Sequence, residues 1–500
     1  MIGKPRLQQL NGEDARLLAS EAPHARAHAT LVHIYDPSTA PGGMVRFKAV
    51  LAQIESRLHL APVFRQKLLH VPMELDRPYW VDDERFDIES HVSHSALPKP
   101  GDWRQFCIMA SRIHARGLDM NRSPWEIHVI EGLDTLPGLP PGCFALLTKV
   151  HHTLIGTDGT DGITALIHDH TAKVADATPP VPWFPRPAPR SEALYLRPRL
   201  GTLKDPATFA WPVMRAVEGL TSMSRTLAHG MLEAPPARAV SRFNAVVSAR
   251  RVFETRLFAL DTFRGMRGLA RDASVNDCVL AVCGGALRRY LDRHGELPDL
   301  DMSAVVPYLN MNATYAQSRR YKIGRVRVDL GTSIDDPAER LAHISTQTAG
   351  LRARAVGAAD LVDGDKHSSS ATLALSGKVL SMAQSDQRQL APLANCSIIN
   401  VPGPSRPLYL VGARLARFTG LMPICDGMGL VLAATSYDGG MNISVTSCRE
   451  QLTDPAVFAE CLQESFDEYA ALVEARGAKA GKKRPPRVAV KRAGRVRAAS

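Results

Sequence analysis

The chain has 500 residues with 45% apolar content, which is enough for two domains with sizeable hydrophobic cores. Its formal net charge of +11 is concentrated in residues 476–500, which hold ten Lys and Arg and no acid, so the rest of the chain is close to +1. We therefore expect no nucleic-acid partner, because the folded part offers no basic groove.

The N-terminal segment and the cysteines favour a cytoplasmic protein. Residues 1–14 lack the apolar region of a signal peptide, and no run of about 18 apolar residues is available to span a bilayer. The eight cysteines are scattered without a CxxC pair, and most lie in apolar runs where a free thiol packs as a small hydrophobic group. These features argue against secretion and against a transmembrane anchor.

Residues 1–178 are predicted to form a first domain of mixed α/β type. A short apolar run at 29–34 predicts a strand, and the spacing of apolar residues over 44–57 predicts a helix. The longer apolar run at 143–150 is typical of a buried strand. This mixture of elements favours an α/β (mixed α+β) fold class.

Residues 179–249 are predicted to connect this domain to a second one. The many prolines between 179 and 198 cannot continue a helix or a central strand. A helical pattern follows over 207–232, and Pro235 and Pro236 end it. We therefore predict a Pro-rich linker followed by a crossover helix.

A second α/β domain is predicted over residues 250–475. Ser274 begins a strongly apolar helix and can cap it together with Asp277, three residues later, so local chemistry alone explains that aspartate. Further on, the short run 396–399 predicts a strand that leaves into a rigid turn at 400–404.

The C-terminal part is predicted to contain a hairpin and a basic tail. Apolar runs at 429–437 and 441–448 flank Asp438-Gly439-Gly440, the pattern of two strands joined by a tight turn. Residues 476–500 are rich in Ala, Gly and Pro as well as in basic residues, which predicts a disordered arm. Such an arm can serve solubility, or it can be attracted to anionic lipid headgroups at roughly 1 kcal/mol per basic residue.

Two adjacent histidines, His151 and His152, end the run that begins at 143. A neutral imidazole at a strand end can take a proton from a substrate hydroxyl near pH 7. Adjacent strand positions face opposite ways, so we expect at most one of the pair to face a cavity. Asp158 and Gly159 follow in the next loop, although Asp-Gly is also a common turn dipeptide. A zinc site built from the histidines and Asp158 lacks a fourth ligand pattern, so no metal is expected.

Six short segments in a fixed order carry a family resemblance. They are FDIESHV at 86–92, EIHVIEGL at 126–133, the histidine pair, VND at 275–277, NVPGP at 400–404 and DGMGL at 426–430. A histidine pair followed by Asp-Gly can arise by chance, but the six segments together are a specific signal. From about residue 10 to residue 472, the chain resembles the bacterial wax ester synthase/diacylglycerol acyltransferase family.

The resemblance implies a fold and an activity. The fold would be two related domains of the chloramphenicol acetyltransferase type with an active-site tunnel between them, admitting acyl-CoA from one side and a lipid alcohol from the other. The reaction would move a fatty acyl group to diacylglycerol, a long-chain fatty alcohol or both, making triacylglycerol or wax ester. No cofactor is implied beyond acyl-CoA as substrate. Because the lipid acceptors are insoluble in water, we expect peripheral attachment to the inner membrane or to lipid droplets.

The resemblance also assigns roles to individual residues. His152 would be the general base that takes the proton from the acceptor hydroxyl, which then attacks the thioester without an acyl-enzyme. Asn276 would help to shape or supply the oxyanion site. His151 and Asp158 complete the predicted catalytic set, with Asp158 organising its loop. The predicted substrate-binding residues are Gly159, Trp125, Asp277, Asn400, Pro402 and Gly403.

The loop after the histidines departs from the family's HHxxxDG pattern. Gly156 and Thr157 make it two residues longer, with Asp158 a better match to the family's aspartate than Asp161. The insertion could displace the base, which would lower the rate by orders of magnitude, or Gly156 could let the loop bulge outward and leave the base in place. The segments at 123–125, 306–311 and 324–325 also depart from the family and leave acceptor selectivity open.

Two other functions share part of the pattern. A stand-alone condensation-type domain has the double histidine but takes carrier-protein thioesters and often forms amides; the PGP and DGMG segments argue against it. A catalytically weakened lipid-binding relative would have lost activity through the longer loop. The presence of both histidines and of Asn276 argues for an enzyme, because lipid binding alone does not need a desolvated imidazole.

Overall fold

The computed structural model describes residues 8–71, 77–155, 162–174, 181–189, 239–309, 323–355 and 394–482. These residues form two six-stranded sheets, one small three-stranded sheet, and helices packed on the sheets, so the predicted mixed α/β class is confirmed. The predicted crossover helix at 207–232, and Asp158 and Gly159 of the site, lie outside the described residues.

The strands are numbered in chain order. They are β1 (Gln8–Gln9), β2 (His28–Asp36), β3 (Gln66–Leu69), β4 (Tyr79–Asp82), β5 (Val92–Ala96), β6 (Trp125–Leu133), β7 (Cys143–His151), β8 (Arg251–Ala259), β9 (Ser303–Leu309), β10 (Ile323–Asp329), β11 (Cys396–Pro402), β12 (Tyr409–Leu410), β13 (Ala413–Leu421), β14 (Leu430–Tyr437) and β15 (Gly440–Cys448). The α-helices are α1 (Gly12–Ser20), α2 (Phe47–Arg57), α3 (Trp103–Ala115), α4 (His152–Ile155), α5 (Gly162–Ile167), α6 (Leu260–Met266), α7 (Val275–Arg293), α8 (Pro337–Ala355) and α9 (Pro455–Lys482).

The first large sheet has the order β12-β13-β2-β7-β6-β5, with β7 near its centre. All nine residues of β7 are buried, which agrees with the continuous apolar run in the sequence. Alternate side chains enter two cores: Ala145 and Leu147 pack with Phe106 of α3 on one face, and Leu146 packs with Ile54 of α2 on the other. The strand is therefore held from both sides and can fix the position of whatever follows its last residue.

The second large sheet has the order β10-β9-β11-β14-β15-β8. Helices α6, α7, α8 and α9 share one hydrophobic core with this sheet. The predicted cap of α7 is confirmed: the Ser274 side chain accepts from the Asp277 N–H, and the Asp277 side chain accepts from the Ser274 N–H. The predicted hairpin is also confirmed, since β14 and β15 pair antiparallel around a turn in which Asp438 and Gly439 have positive φ.

Strand β13 connects the two halves of the chain. It pairs antiparallel with β2, from Arg414 opposite Asp36 to Leu421 opposite Thr30, so a strand from the C-terminal half completes the first sheet. Hydroxyl groups of the second sheet also bind its carbonyl groups: Ser444 donates to Gly420 O at 2.7 Å, and Thr435 of β14 donates to Phe418 O at 3.0 Å. The predicted domain boundaries remain predictions. The first sheet contains strands from both sides of those boundaries, because β13 pairs with β2.

Two predicted boundaries differ from the structure. Strand β11 continues through Pro402, where the sequence predicts a turn. Pro402 is the last residue of the strand, where the missing N–H interrupts no later ladder bond. Helix α9 ends at Lys482, so residues 476–482 of the predicted disordered tail are helical, in keeping with the high helix propensity of their Ala, Lys and Arg residues. Residues 483–500 lie outside the described residues.

Within the described part of the chain, every helix is too short or too polar to cross a lipid bilayer.

Candidate active site

The histidine pair lies where the central strand changes into a helix. His151 is the last residue of β7, and His152 is the first residue of α4. The His151 residue is 1% exposed, whereas the side chain of His152 is 40% exposed. Only His152 of the pair is therefore substantially exposed. The sequence pattern placed both on a strand, and the structure separates them by a change of backbone conformation.

The hydrogen bonds of His151 fix the proton of its neutral ring. The backbone N–H of Thr153 donates to Nδ1 at 3.3 Å, and the Thr153 hydroxyl lies 2.8 Å from the same nitrogen. Because an N–H group can only donate, Nδ1 is an acceptor and the ring proton is on Nε2. That nitrogen lies 3.1 Å from Oε1 of Glu21, to which it donates. His151 is therefore fully occupied by partners inside the protein.

The turn from Glu21 to Ala27 contacts both histidines. Oε1 of Glu21 also accepts from the Ala27 N–H at 2.5 Å, and the Ala27 carbonyl accepts from the His152 N–H at 2.9 Å. Burial raises the pKa of Glu21, but the hydrogen bond from His151, the electrostatic interaction with that ring, the Ala27 N–H and the charge of Arg26 outweigh it, so the pKa lies below its ordinary value. The turn therefore connects the backbone of His152 with the buried Glu21 and His151 side chains.

A second carboxylate lies beside His152. Nδ1 of His152 is 3.5 Å from Oδ1 of Asp14, a residue of α1 that is 3% exposed. Asn11, the N-cap of α1, accepts from the Asp14 N–H at 2.8 Å, and its side-chain amide donates to Oδ2 of Asp14. No sequence motif points to Asp14 or Glu21. The cap pattern at Asn11 could have predicted the start of α1, but no local signal connects that helix with His152.

The predicted residues of the second half form another group, at the N-terminus of α7. The Nδ2 group of Asn400 donates to Oδ1 of Asn276 at 3.3 Å, so these two predicted residues are brought together. Asp277 is 1% exposed, and its carboxylate accepts from the Ser274 N–H and from the Thr348 hydroxyl, each at 2.8 Å. These contacts connect α7 to α8 and use Asp277 inside the protein core.

Trp125 belongs to the core that supports β7. It is 1% exposed, its indole N–H donates to the Phe64 carbonyl at 2.8 Å, and its ring stacks on His91 with 4.7 Å between centroids. Trp125 also lies opposite Val150 in the pairing of β6 with β7, next to the histidine pair. Its contacts therefore position the strand that carries the histidines.

Pro402 and Gly403 follow Asn400 at the end of β11. Pro402 is exposed, and the Gly403 N–H donates to the Ser436 hydroxyl at 3.2 Å. A Cβ on Gly403 would lie 2.1 Å from the Ser436 carbonyl oxygen, so only glycine allows this close approach to β14. Pro402 and Gly403 therefore fix how β11 ends beside β14, just after Asn400 in the sequence.

Lys149 holds the histidine-bearing strand against α3. Its side chain is 0% exposed, and its ammonium group donates to the carbonyl groups of Ile113, at 3.1 Å, and Arg116 at the C-terminal end of that helix. Burial is the main cause that lowers the pKa of Lys149 to about 8, while the charge of Glu126 opposes this shift. The contact supports the end of β7 two residues before His151.

A cavity of about 350 Å³ lies at the other end of β7, away from the histidines. Its lining includes Gly138, Arg414, Tyr437 and Asn442, and Gly138 precedes the first residue of β7. The pair is at the last residue of that strand, so this cavity is separate from the candidate site. Among the residues that the structure describes, no three His, Cys, Asp or Glu side chains gather in a way that could hold a metal ion.

Comparison with known proteins places this architecture in a family. Residues 10–279 match the model of the wax ester synthase/diacylglycerol acyltransferase catalytic domain, and residues 322–470 match the model of the C-terminal domain of the same family. The chain therefore belongs to the wax ester synthase/diacylglycerol acyltransferase family.

Curated relatives agree over nearly the whole chain. A putative diacylglycerol O-acyltransferase of Mycobacterium tuberculosis (strain ATCC 25618 / H37Rv) is 32% identical over 453 residues, which cover 88% of this chain and 92% of the relative. A second protein of that name and strain is 29% identical over 465 residues, covering 91% of this chain and 98% of the relative.

Solved structures agree with the fold. The wax ester synthase/diacylglycerol acyltransferase from Marinobacter aquaeolei VT8 matches with a TM-score of 0.66 and 25% identity, covering 93% of this chain and 100% of the other. The first condensation domain of the CDA synthetase has a TM-score of 0.50 at 14% identity, covering 93% and 96%, and thus shares the fold. The predicted family, the fold class and an acyl-CoA-dependent acyltransferase as the class of enzyme are confirmed.

Proposed function

We propose that this acyltransferase moves a fatty acyl group from acyl-CoA to the hydroxyl of diacylglycerol, of a long-chain fatty alcohol, or of both. His152 acts as the general base, and no acyl-enzyme forms. The observation that carries this proposal is the unequal exposure of the histidine pair. The His152 side chain is 40% exposed while its Nδ1 atom is enclosed, so the exposed part lies on the rest of the ring, where Nε2 is. His151 is buried and held by Glu21 and Thr153.

The proposed reaction is a single direct transfer. The O–H bond of the acceptor breaks as its proton moves to Nε2 of His152, and the acceptor oxygen bonds to the thioester carbonyl carbon. When the tetrahedral intermediate collapses, the C–S bond breaks and His152 gives the proton to the sulfur of CoA. Free CoA and an ester are the products, and the imidazole returns to its starting state.

Asn276 is proposed to serve the oxyanion of that intermediate. Its Oδ1 accepts from Asn400, which leaves the Nδ2 group of Asn276 as a donor for another partner. A preorganised amide donor of this kind stabilises developing negative charge in acyl transfer. In this proposal Asn400 orients Asn276, Asp277 anchors the same helix end, and Trp125, Pro402 and Gly403 act through packing. Asp158 and Gly159 stay predicted members of the site.

The proposed acceptors follow from the names of the relatives. The two mycobacterial relatives are named diacylglycerol O-acyltransferases, and the Marinobacter protein is named for both wax ester synthesis and diacylglycerol acylation. Triacylglycerol and wax ester are therefore the proposed products. The seven basic residues within 483–500 are proposed to attract the protein to anionic lipid surfaces, where such acceptors reside.

The test is release of free CoA from palmitoyl-CoA by the purified protein, offered hexadecanol or dipalmitoylglycerol in parallel, with chromatography of the lipid products. We expect CoA release that depends on an acceptor, with one ester formed for each CoA. The intact mass of the protein after incubation with palmitoyl-CoA alone should be unchanged. Acceptor-independent acylation of the protein would contradict direct transfer, and no ester with either acceptor would contradict the proposed activity.

A further inference from the structure

We propose that Asp14 is a positioning residue for His152. Its carboxylate holds the ring proton on Nδ1 and so leaves Nε2 free to take the proton of the acceptor hydroxyl. This inference rests on the proposed role of His152 as general base. Asp14 is a buried carboxylate near the start of the chain, outside the histidine motif.

The contact between the two side chains is enclosed. Nδ1 of His152 lies 3.5 Å from Oδ1 of Asp14, and the Asp14 side chain is 5% exposed. Nδ1 is shielded from solvent and, among the described residues, has no hydrogen-bond partner. The separation is slightly longer than a good hydrogen bond, and hydrogen bonds of catalytic groups are often long until substrate binds.

The chemistry of the two groups sets the direction of the proton. An ionised carboxylate can only accept, so the imidazole nitrogen that faces it must carry a hydrogen. A neutral imidazole has one ring proton, and placing it on Nδ1 leaves the lone pair on Nε2. When Nε2 takes the acceptor's proton the ring becomes a cation, which the carboxylate stabilises because Asp14 and the Nδ1 atom beside it are shielded from solvent. His–Asp pairs of hydrolases divide the work in the same way.

The start of α1 holds Asp14 ready for this task. Asn11 donates from its amide to Oδ2 of Asp14, so one carboxylate oxygen is held and the other faces His152. Asp14 lies in the first turn of α1, where the helix dipole favours negative charge. Helix α1 packs against α4, the helix that begins with His152. The cap therefore holds the carboxylate next to the imidazole.

Two substitutions of Asp14 distinguish this role from simple packing. Asp14→Asn keeps the size of the side chain but presents an amide N–H to Nδ1, which favours the tautomer whose proton blocks Nε2. Asp14→Ala removes the contact and leaves both tautomers available. We therefore expect kcat to fall in the order wild type, Asp14→Ala, Asp14→Asn, with KM for palmitoyl-CoA unchanged. The kcat of Asp14→Asn should be about 10- to 100-fold lower than that of the wild type. Mutating a group that orients a metal-bound imidazole has an effect of this size on activity.

A purely structural role predicts the opposite order, because Asn replaces Asp with less loss of packing than Ala does. That order, or an unchanged kcat in a folded Asp14→Asn variant, would overturn the proposal. Asp102→Asn is the matched control: Asp102 caps α3 by accepting from the Gln105 N–H, and its substitution should leave kcat unchanged. Asp14→Asn should have no further effect when combined with His152→Ala.

A milder variant covers the case in which Asp14→Asn does not fold. Asn11→Ser keeps a good N-cap but removes the amide donor to Asp14, so a smaller fall in kcat is expected at nearly unchanged stability. An unchanged kcat in this variant would count against the proposal.

The failure of this inference can be told apart from the failure of the proposed function. If His152→Ala keeps full turnover, the general-base role fails, whatever Asp14 does. If His152→Ala abolishes turnover but kcat does not fall in the order wild type, Asp14→Ala, Asp14→Asn, only the positioning role of Asp14 fails. Nuclear magnetic resonance of ¹⁵N-histidine-labelled protein gives a readout without turnover: the His152 resonances, assigned with His152→Ala, should show hydrogen on Nδ1. Hydrogen on Nε2 at neutral pH would overturn the proposal directly.

Discussion

The two histidines differ because their neighbours differ. His151 is buried, accepts from Thr153 and donates to Glu21, whereas the exposed part of His152 lies away from its enclosed Nδ1. Strand alternation predicts that at most one of the pair faces a cavity, but the difference in exposure arises from the change from strand to helix at His152. Alternation could not predict the acidic partners, because Asp14 and Glu21 come from a distant part of the chain and reach the pair only through packing.

The Glu21–His151 contact should raise the free energy of unfolding. Glu21→Gln removes the charge that accepts from the His151 and Ala27 N–H groups, so we expect the free energy of unfolding at pH 7 to fall by about 1–3 kcal/mol. The ordinary pKa of a Glu carboxyl is 4.5, and folding lowers the pKa of Glu21 below this value. The stabilisation is therefore fully present above pH 4.5 and is lost as the pH falls through the folded-state pKa.

Denaturant unfolding at several pH values checks this expectation. The difference between the wild type and Glu21→Gln should shrink on acidification below pH 4.5. Glu89→Gln, at an exposed position, serves as the control and should differ little from the wild type at any pH. A Glu21 effect that is independent of pH would contradict a charged partner for His151.

At the scale of elements, local patterns predicted what local chemistry decides. The buried run of β7, the capping box of α7 and the β14–β15 hairpin follow from residues close together in sequence. The end of β11 at Pro402 and the extension of α9 to Lys482 were missed, because the first depends on pairing with a distant strand and the second on helix propensity within a charged segment. The attachment of β7 to α3 through Lys149 was equally hidden, since it joins groups distant in sequence.

That attachment predicts an unusual dependence of stability on pH. The pKa of Lys149 is about 8 in the fold and 10.5 ordinarily, so between these values the unfolded chain binds more protons and stability rises with pH. At 1.36 kcal/mol per pKa unit the gain is up to about 3 kcal/mol. Lys149→Met should remove this rise. Unfolding curves of the wild type, Lys149→Met and the exposed control Lys48→Met between pH 7.5 and 10.5 measure it. Parallel curves for all three proteins would contradict a buried ammonium.

At the scale of the whole molecule, the halves are connected close to the site. Nε2 of His24, in the turn that contacts both catalytic candidates, lies 3.0 Å from Oδ2 of Asp426, whose Oδ1 accepts from the Val247 N–H at 2.9 Å. Arg251 also donates to the His24 carbonyl. The sequence predicted two domains and the family, but it did not predict that β13 completes the first sheet, because such pairing is decided by the packing of distant segments.

The basic tail gives the prediction at this scale. Deleting residues 483–500 keeps all of α9 and removes seven of the ten basic residues counted after 475. We expect the shortened protein to bind anionic vesicles more weakly, because each basic residue near the surface contributes about 1 kcal/mol. Sedimentation with anionic vesicles measures binding, and neutral vesicles are the control. Equal binding of both proteins to anionic vesicles would exclude the tail as the lipid contact.

The most direct test of the account is the rate of CoA release from palmitoyl-CoA, with hexadecanol or dipalmitoylglycerol as acceptor, in His152→Ala compared with the wild type. His59→Ala, at an exposed position, is the matched control. If His152 is the general base, its loss should lower kcat by about 10²- to 10⁴-fold while the protein stays folded and His59→Ala stays active. A folded His152→Ala variant that makes ester at the wild-type rate would contradict the account.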